Sequence, residues 1–246
     1  MIDLLKGDCL EVMKGIESGS IDAIITDPPY GTTACKWDSV IDFELMWEQL
    51  NRIIKPNGAI VLFGSEPFSS ALRMSNIKNY KYDWKWEKSK ATLFTLAKKR
   101  PLKSDEDIAV FYNKQPTYNP QMTKGEPYKG RNNIKNHKEL KGEWEIKQGS
   151  RSDNDGFRYP RTNIKIANEN KRGQHPTQKP IALMEYLIKT YTNENETVLD
   201  FTMGSGSTMV AAKNTNRSGI GIEMDADYFK TATDRVNYTE PQKKMF

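Results

Sequence analysis

Apolar and polar positions along the chain repeat with two different periods. Short apolar runs bounded by proline, glycine or polar residues predict buried strands at 21–26, 59–63, 107–112, 197–201 and 219–223. Aromatic residues at alternate positions predict another, half-buried strand through Tyr80, Tyr82, Trp84 and Trp86. Apolar residues at helical spacing predict helices at 43–54, at 180–191, from the turn after 201 to about 213, and at 225–236. Strands that alternate with helices predict an α/β fold with a mainly parallel sheet.

The segment 113–173 differs from the rest of the chain in charge. It carries 14 Lys and Arg residues against 7 Asp and Glu residues, a net charge of +7, whereas the remaining residues sum to −2. It is rich in Asn, Gly and Lys and has no strong periodicity, but it keeps scattered aromatic residues. We interpret it as an inserted basic region of irregular structure between two halves of one domain, 1–112 and 174–246. The alternative is a solvated, partly disordered loop.

The composition argues against several other classes of protein. No run approaches the roughly 18 apolar residues of a membrane span. The N-terminus lacks the layout of a signal peptide, so we expect a cytoplasmic protein. The two cysteines, Cys9 and Cys35, and the two histidines, His137 and His175, do not have zinc-ligand spacing, so no metal site is expected.

A glycine-containing turn, 200–208, follows one predicted strand and opens a helix. Glycines there let the backbone approach a ligand at the carboxyl end of a parallel strand. Glu223 lies 19 residues after Gly204, at the end of the next strand, where a carboxylate can accept hydrogen bonds from ribose hydroxyls. The turn lacks the third glycine of a dinucleotide fingerprint. Asp200 would also repel a pyrophosphate and suit a cationic ligand such as S-adenosylmethionine.

The tetrad Asp27-Pro28-Pro29-Tyr30 ends the strand at 21–26. Two prolines fix the backbone and remove two donors, so the turn offers a carboxylate and carbonyl groups as acceptors beside an aromatic ring. Two acceptors suit the two hydrogens of an exocyclic amine, and the ring can stack on the base that carries it. The alternative is a strand-ending turn with an incidental tyrosine.

Together these motifs resemble the S-adenosylmethionine-dependent amino DNA methyltransferases of the β class. The tetrad comes first, a recognition region lies in the middle, and the cofactor turn comes last, as in that class. Gly7-Asp8-Cys9 resembles the end of its N-terminal cofactor strand, and the string from His175 to Pro180 resembles the motif that precedes the cofactor turn. The family usually has Asp-Pro-Phe before the glycines, whereas this chain has Asp200-Phe201-Thr202. The resemblance implies a Rossmann-like methyltransferase fold with a circularly ordered chain.

The resemblance also implies a role for each matching residue. Asp27 and the Pro28 carbonyl would hold the target amine, with Pro29 completing the rigid turn, and Tyr30 would stack on a base flipped out of the duplex. The cofactor site would be formed by Asp8, Cys9, Asp27, Thr177, Lys179, Asp200, Phe201, Gly204, Ser205, Gly206, Thr208 and Glu223. Thr177 and Lys179 would place the methionine carboxylate of the cofactor. The halves 1–112 and 174–246 would carry the catalytic and the cofactor motifs, and 113–173 would recognise the DNA target.

The function expected from the resemblance is methylation of adenine N6 in double-stranded DNA. Asp at the first tetrad position favours adenine over cytosine N4, which stays the nearest alternative. A nicotinamide dehydrogenase and a non-catalytic nucleic-acid-binding module are more distant alternatives. Members of the class are often dimers, so the resemblance allows a homodimer. It also allows a cognate restriction endonuclease as a partner. Arg131, Arg151, Arg158, Arg161 and Asn163 are candidates for reading base edges.

Overall fold

The computed structural model describes residues 1–32, 38–130, 153–168 and 178–239. The chain divides into two compact units, one of Met1–Asn119 with Thr162–Phe246 and one of Pro120–Arg161. The strands are β1 (Ile2–Lys6), β2 (Ile21–Thr26), β3 (Ile54–Gly64), β4 (Tyr80–Thr92), β5 (Lys103–Phe111), β6 (Thr123–Lys124), β7 (Phe157–Arg158), β8 (Asn163–Lys165), β9 (Thr197–Asp200) and β10 (Ser218–Glu223). The helices are α1 (Cys9–Met13), α2 (Phe43–Ile53), α3 (Phe68–Ser75), α4 (Ile181–Tyr191), α5 (Ser207–Asn214) and α6 (Ala226–Tyr238), with a 3-10 turn at Phe94–Leu96.

The first unit is built around one eight-stranded sheet. Its strand order is β1-β10-β9-β2-β3-β5-β4-β8. Neighbouring strands run parallel except around β5, which is antiparallel to both β3 and β4. The predicted α/β fold with a mainly parallel sheet is therefore confirmed. Since β1 pairs with β10 and β2 with β9, the beginning and the end of the chain share this sheet.

Helices cover the central strands on both faces. Ile25 and Val61 pack in one cluster with residues of α4 and α5, whereas Ile24 and Leu62 pack in another with residues of α1, α2 and α3. All four side chains are fully buried. Burial on both faces explains why these strands read as continuous apolar runs. Among the described residues, no helix is long and apolar enough to cross a membrane.

The structure adds elements that the apolar pattern did not predict. The strand β1 was missed because it lies at the edge of the sheet with a largely exposed face, so it carries no apolar run. The strands β4 and β5 extend to Thr92 and back from Lys103, beyond their predicted bounds. Their outer parts are polar and lysine-rich, so neither period marks them. The short α1 depends on its cap at Asp8 rather than on an apolar stripe.

The second unit, Pro120–Arg161, lies within the basic segment. In it, β6 pairs antiparallel with β7, and Tyr128 and Asn154 form an isolated bridge. The guanidinium of Arg158 lies 4.9 Å from the centroid of the Tyr128 ring. The strand β8, which also belongs to the basic segment, pairs with β4 in the large sheet. The domain boundaries at 112 and 173 stay a prediction. The candidate base readers Arg131 and Arg151 lie outside the described residues, as do His137, Cys35 and the string from His175 to Thr177.

Candidate active site

A cavity opens where the carboxyl ends of β1, β10, β9 and β2 meet. This is the edge at which parallel α/β sheets bind ligands. It brings together most of the residues that the sequence predicted: Asp8, Cys9, Asp27, Pro28, Pro29, Tyr30, Lys179, Asp200, Phe201, Gly204, Ser205, Thr208 and Glu223. Thr177 lies outside the described residues. Among the described residues, Gln178 of the string from His175 to Pro180 also lines the cavity, as do Asp38, Glu106 and Tyr228, which the sequence did not single out.

The Asp27 carboxylate is held on both of its oxygens. The hydroxyl of Tyr30 donates a hydrogen bond to Oδ1, and the ammonium nitrogen of Lys179 lies 2.5 Å from Oδ2. The backbone carbonyl of Asp27 accepts a hydrogen bond of 3.1 Å from the Thr202 hydroxyl, which belongs to the glycine turn. The catalytic candidate and the cofactor turn are therefore joined directly.

Lys179 stands between two carboxylates in a buried position. Its side chain is 6% exposed, and its nitrogen lies 3.1 Å from Oε2 of Glu106. Lys88 donates to the other oxygen of Glu106. The Lys179 ammonium also lies 5.1 Å from the ring centroid of Phe63 and 5.9 Å from that of Tyr30. A buried cation in this place balances the charge that two buried carboxylates bring with them.

The three charges shift one another's pKa values in different directions. Burial raises the pKa of Asp27, and Lys179 opposes that shift without cancelling it. Burial would lower the pKa of Lys179, but the carboxylates of Asp27 and Glu106 outweigh it and raise that pKa. Burial would raise the pKa of Glu106, but Lys179 and Lys88 outweigh it and lower that pKa. Lys179 therefore stays an ammonium and Glu106 a carboxylate at neutral pH, while burial makes Asp27 easier to protonate than an exposed aspartate.

The tyrosine of the tetrad is placed by packing as well as by its hydroxyl. Its ring centroid lies 5.0 Å from that of Phe68, with the planes tilted by 30°. Burial and the neighbouring Asp27 hold the pKa of Tyr30 well above its usual range. The hydroxyl thus remains a donor to Asp27 at neutral pH.

A second turn follows the tetrad and is closed by an aspartate. Gly31 has a φ of +67°, which favours glycine. The Asp38 carboxylate accepts hydrogen bonds from the backbone N–H groups of Gly31 at 2.8 Å and Thr32 at 2.9 Å. Asp38 is only 8% exposed. It fixes the chain immediately after Tyr30.

Asp200 organises the glycine turn from inside the sheet. Its two oxygens accept hydrogen bonds from the hydroxyls of Thr26 at 2.9 Å and Thr208 at 2.5 Å. The Thr26 hydroxyl in turn accepts from the backbone N–H of Phe201 at 3.0 Å. Burial raises the pKa of Asp200 to about 7. The carboxyl group ties the end of β9 to β2 and to the first turn of α5.

Glu223 closes the turn from the neighbouring strand. Its carboxylate accepts hydrogen bonds from the backbone N–H groups of Gly204 at 2.9 Å and Asp225 at 2.8 Å. Burial raises its pKa.

Gly206 lies close to α6, because a Cβ added at this position would lie 2.9 Å from the Cβ of Ala232. Among the described residues, Gly206 does not line the cavity, and its part in cofactor binding stays a prediction.

The residues after β1 close the far side of the cavity. The Asp8 carboxylate caps α1 by accepting from the backbone N–H groups of Leu10 at 2.9 Å and Glu11 at 3.3 Å. Burial, together with Asp8, raises the pKa of the Cys9 thiol to about 12. Cys9 is therefore a neutral wall residue at physiological pH rather than a nucleophile.

Comparison with known proteins identifies the class. The sequence profile of the DNA methylase family matches residues 21–234. This chain belongs to that family, the amino DNA methyltransferases of the N6/N4 class. The predicted resemblance is confirmed, and the dehydrogenase and the non-catalytic module are excluded.

Individual relatives agree over nearly the whole chain. The type II methyltransferase M.HpaI of Haemophilus parainfluenzae is 29% identical over 252 residues, which cover 95% of this chain and 74% of that protein. M1.MboII of Moraxella bovis is 27% identical over 257 residues, 95% of each chain.

Solved structures share the fold. The complex of M1.HpyAVI with S-adenosylmethionine has a TM-score of 0.65 and is 29% identical in sequence. The match covers 96% of this chain and 100% of that one. The cytosine-N4-specific PvuII DNA methyltransferase has a TM-score of 0.69 over 100% of this chain and 88% of its own, at 16% identity, which shows the fold alone. The predicted methyltransferase fold is therefore confirmed.

Membership of this family makes S-adenosylmethionine the methyl donor, and the residues around the cavity fit it. Among the described residues, six carboxyl groups line the cavity, which suits a molecule that carries an ammonium and a sulfonium: Asp8, Asp27, Asp38, Glu106, Asp200 and Glu223. The N–H of Gly204 is already donated to Glu223, so this turn does not offer that amide to a pyrophosphate.

Proposed function

We propose that this protein methylates the exocyclic N6 of adenine at a specific site in double-stranded DNA, with the target base flipped into the cavity. The observation that carries the proposal is the Asp27 carboxylate, which lines the cavity and is oriented by Tyr30 and Lys179. A carboxylate has about four acceptor sites. Two are used here, so acceptor capacity is left for an N–H of the target amine.

The chemistry follows from holding that amine. S-adenosylmethionine supplies an electrophilic methyl group on a sulfonium. Asp27 and the Pro28 carbonyl would accept hydrogen bonds from the two N–H groups of the amine. This arrangement favours a pyramidal nitrogen whose lone pair faces the methyl group. As the N–C bond forms and the S–C bond breaks, the amine becomes cationic and releases one proton. Asp27, whose pKa burial raises, is the group placed to receive or pass on that proton.

The remaining cavity residues are assigned to the cofactor. Glu223 and Asp8 would bind the nucleoside part, with Cys9 beside them, and Asp200 would face the amino-acid end. Phe201, Ser205 and Thr208 would form the wall at the turn. Lys179 and Thr177 would help to place the methionine carboxylate, and Lys179 would also hold the carboxylate of Asp27. These assignments are supported by the shared cavity of the described members.

Adenine is proposed over cytosine because of the first residue of the tetrad. Family members that act on cytosine N4 more often carry Ser where this chain has Asp27. A cytosine-N4 methyltransferase is the second candidate, because the matched family includes enzymes that act on either amino group. The relatives named as type II methyltransferases support a role in restriction and modification. Such a role allows a cognate endonuclease as a partner.

Target recognition is assigned to the basic segment 113–173. Of the candidate readers that the structure describes, Arg158 and Arg161 belong to the second unit and Asn163 begins β8. Arginine and asparagine side chains make bidentate contacts to guanine and adenine edges. A homodimer and a cytoplasmic location complete the proposal.

Nucleoside analysis tests the proposal directly. Purified protein is incubated with mixed-sequence duplex DNA and S-adenosylmethionine that carries an isotopically labelled methyl group. The DNA is digested to nucleosides, and the labelled species is identified by mass spectrometry. We expect labelled N6-methyladenine, formed about 10²–10³-fold more slowly by an Asp27→Ala control. Labelled N4-methylcytosine would overturn the choice of base while keeping the class. The same sequences are incubated in parallel as single strands, and label there but not in the duplex would overturn the duplex substrate.

A further inference from the structure

The hairpin between β4 and β5 projects past the edge of the sheet that holds the cavity. Gly64, the last residue of β3, pairs with Asp107, so residues 103–106 of β5 extend beyond β3. Four residues of strand span about 13 Å. Glu106 in this extension lines the cavity, and the hairpin therefore rises from the cavity wall.

We call residues 88–103 the basic hairpin, because all of its charged residues are cations. It contains six Lys and Arg residues and no Asp or Glu. Lys88 is committed to Glu106, and Lys103 donates to the Ser65 hydroxyl, so these two anchor the base of the hairpin. The other four cations are exposed and form no ion pair with a described residue: Lys90, Lys98, Lys99 and Arg100.

The tip of the basic hairpin is ordered but exposes apolar side chains. Leu93 adopts a φ of +67°, a conformation that costs a leucine about 1–2 kcal/mol. The turn that follows is closed by backbone hydrogen bonds from Leu96 to Leu93 and from Ala97 to Phe94. Phe94 is nevertheless 67% exposed. A strained backbone that displays a phenyl ring in water points to a contact outside the fold.

We propose that the basic hairpin is a DNA-binding element: Lys98, Lys99 and Arg100 bind phosphates of the duplex, and Phe94 packs against bases beside the flipped nucleotide. Cations supply backbone affinity, and inserted apolar side chains fill gaps in an opened base stack. The position is right for this task, because a base that enters the cavity must leave a duplex lying over its mouth. The inference rests on the proposed duplex substrate and not on which base is methylated.

The charge part is tested with two variants of equal charge change. The first is Lys98→Gln/Lys99→Gln/Arg100→Gln. The control is Lys78→Gln/Lys81→Gln/Lys189→Gln. Lys78 and Lys81 are exposed at the opposite end of β4 and β5, where Tyr80 pairs with Phe111, and Lys189 is exposed in the last turn of α4. Affinity for a 30-base-pair mixed-sequence duplex is measured by fluorescence anisotropy over a series of NaCl concentrations. Each lost phosphate contact flattens the plot of log K against log salt by about 0.9. We expect the first variant to flatten the slope by about 1 to 3 and the control to leave it unchanged.

The aromatic part is tested separately, because Phe94 carries no charge. Phe94→Ala should weaken duplex binding by about 5- to 150-fold, the range for losing one aromatic–base contact, without changing the salt slope. Ile77→Ala is the control, since Ile77 is 57% exposed near the opposite edge. It should bind as the wild type does. All variants should keep wild-type affinity for S-adenosylmethionine, which reports an intact fold.

Each negative outcome has a distinct meaning. Equal loss in both charge variants would mean that only overall charge matters and would overturn the proposal, as would unchanged binding in the first variant. A Phe94→Ala protein that binds DNA normally but changes its sedimentation mass would make the tip a contact between copies of the chain. A wild-type protein that binds no duplex at all would instead overturn the proposed function.

Discussion

The ammonium of Lys179 lies 2.5 Å from the carboxylate of Asp27, across 152 positions of sequence. The contact joins the segment before α4 to the end of β2. It also extends to Glu106, which lies 3.1 Å from the same ammonium. The tetrad thus works inside a buried charge cluster, and the ionisation of Asp27 depends on residues outside its own motif.

Removing parts of the tetrad should separate catalysis from cofactor binding. We expect Asp27→Ala to lower kcat by about 10²–10³-fold, because the acceptor for the target amine is lost. Tyr30→Phe, which loses only the hydroxyl that orients Asp27, should lower kcat by roughly 10-fold. Tyr30→Ala also loses the ring that would stack on the base, so its kcat should be lower than that of Tyr30→Phe. Calorimetry should give affinities for S-adenosylmethionine within a few-fold of wild type, and a large loss of affinity in any variant would contradict the assigned roles.

The pH profile of Glu106→Gln should reveal the coupling within the charge cluster. The carboxylate of Glu106 helps to raise the pKa of Asp27. Neutralising it therefore lowers that pKa, so Asp27 stays ionised to lower pH. We expect the acidic limb of the profile of kcat/KM to move to lower pH, even if overall activity falls. Glu87→Gln is the matched control, because Glu87 is half exposed and pairs with Lys165. A limb that stays in place, or moves to higher pH, would rule out this coupling.

Asp200→Asn tests the buried carboxyl under the glycine turn. The carboxyl ionises near pH 3.8 in the unfolded chain but only near about 7 in the folded protein. Between these values the folded state binds the extra proton, so the contribution of Asp200 to the free energy of unfolding declines as pH rises and is constant above about 7. Urea unfolding gives the free energy of unfolding of the wild type and of the variant. The value for the wild type minus that for the variant should fall by on the order of 2 kcal/mol between about pH 5 and pH 7.5.

The control for that experiment is Asp234→Asn, an exposed carboxylate in α6. Its stability difference from wild type should hardly depend on pH over this interval. If Asp200→Asn behaves in the same way, burial does not raise the pKa of Asp200, and the carboxyl is ionised in the folded protein throughout.

The sequence predicted the part of the site that follows from parallel strands. Asp27, Asp200 and Glu223 each end an apolar run, and strands of one parallel sheet end at one edge, so their meeting could be foreseen. Glu106 could not, because it precedes its apolar run. Its place depends on β5 running antiparallel beside β3, which no local pattern reveals. The same reversal positions the basic hairpin.

Gly206 shows a different limit, since the sequence identifies a glycine but not the neighbour that requires it. A Cβ at Gly206 would lie 2.9 Å from the Cβ of Ala232 and 3.2 Å from its Cα, and the φ of +79° is unfavourable for other residues. We expect Gly206→Ala to lower the melting temperature by several degrees, because α6 must move away from α5.

The second-site variant Ala232→Gly separates the two causes of that loss. It removes the atom that collides, so Gly206→Ala/Ala232→Gly should recover part of the lost stability relative to the sum of the single variants. The recovery should be incomplete, because the left-handed backbone at 206 remains strained and a glycine in a helix costs about 1 kcal/mol. Thermal unfolding with and without S-adenosylmethionine provides the measurement. Additive effects of the two substitutions would mean that Gly206 is required by its backbone, or by the cofactor, rather than by α6.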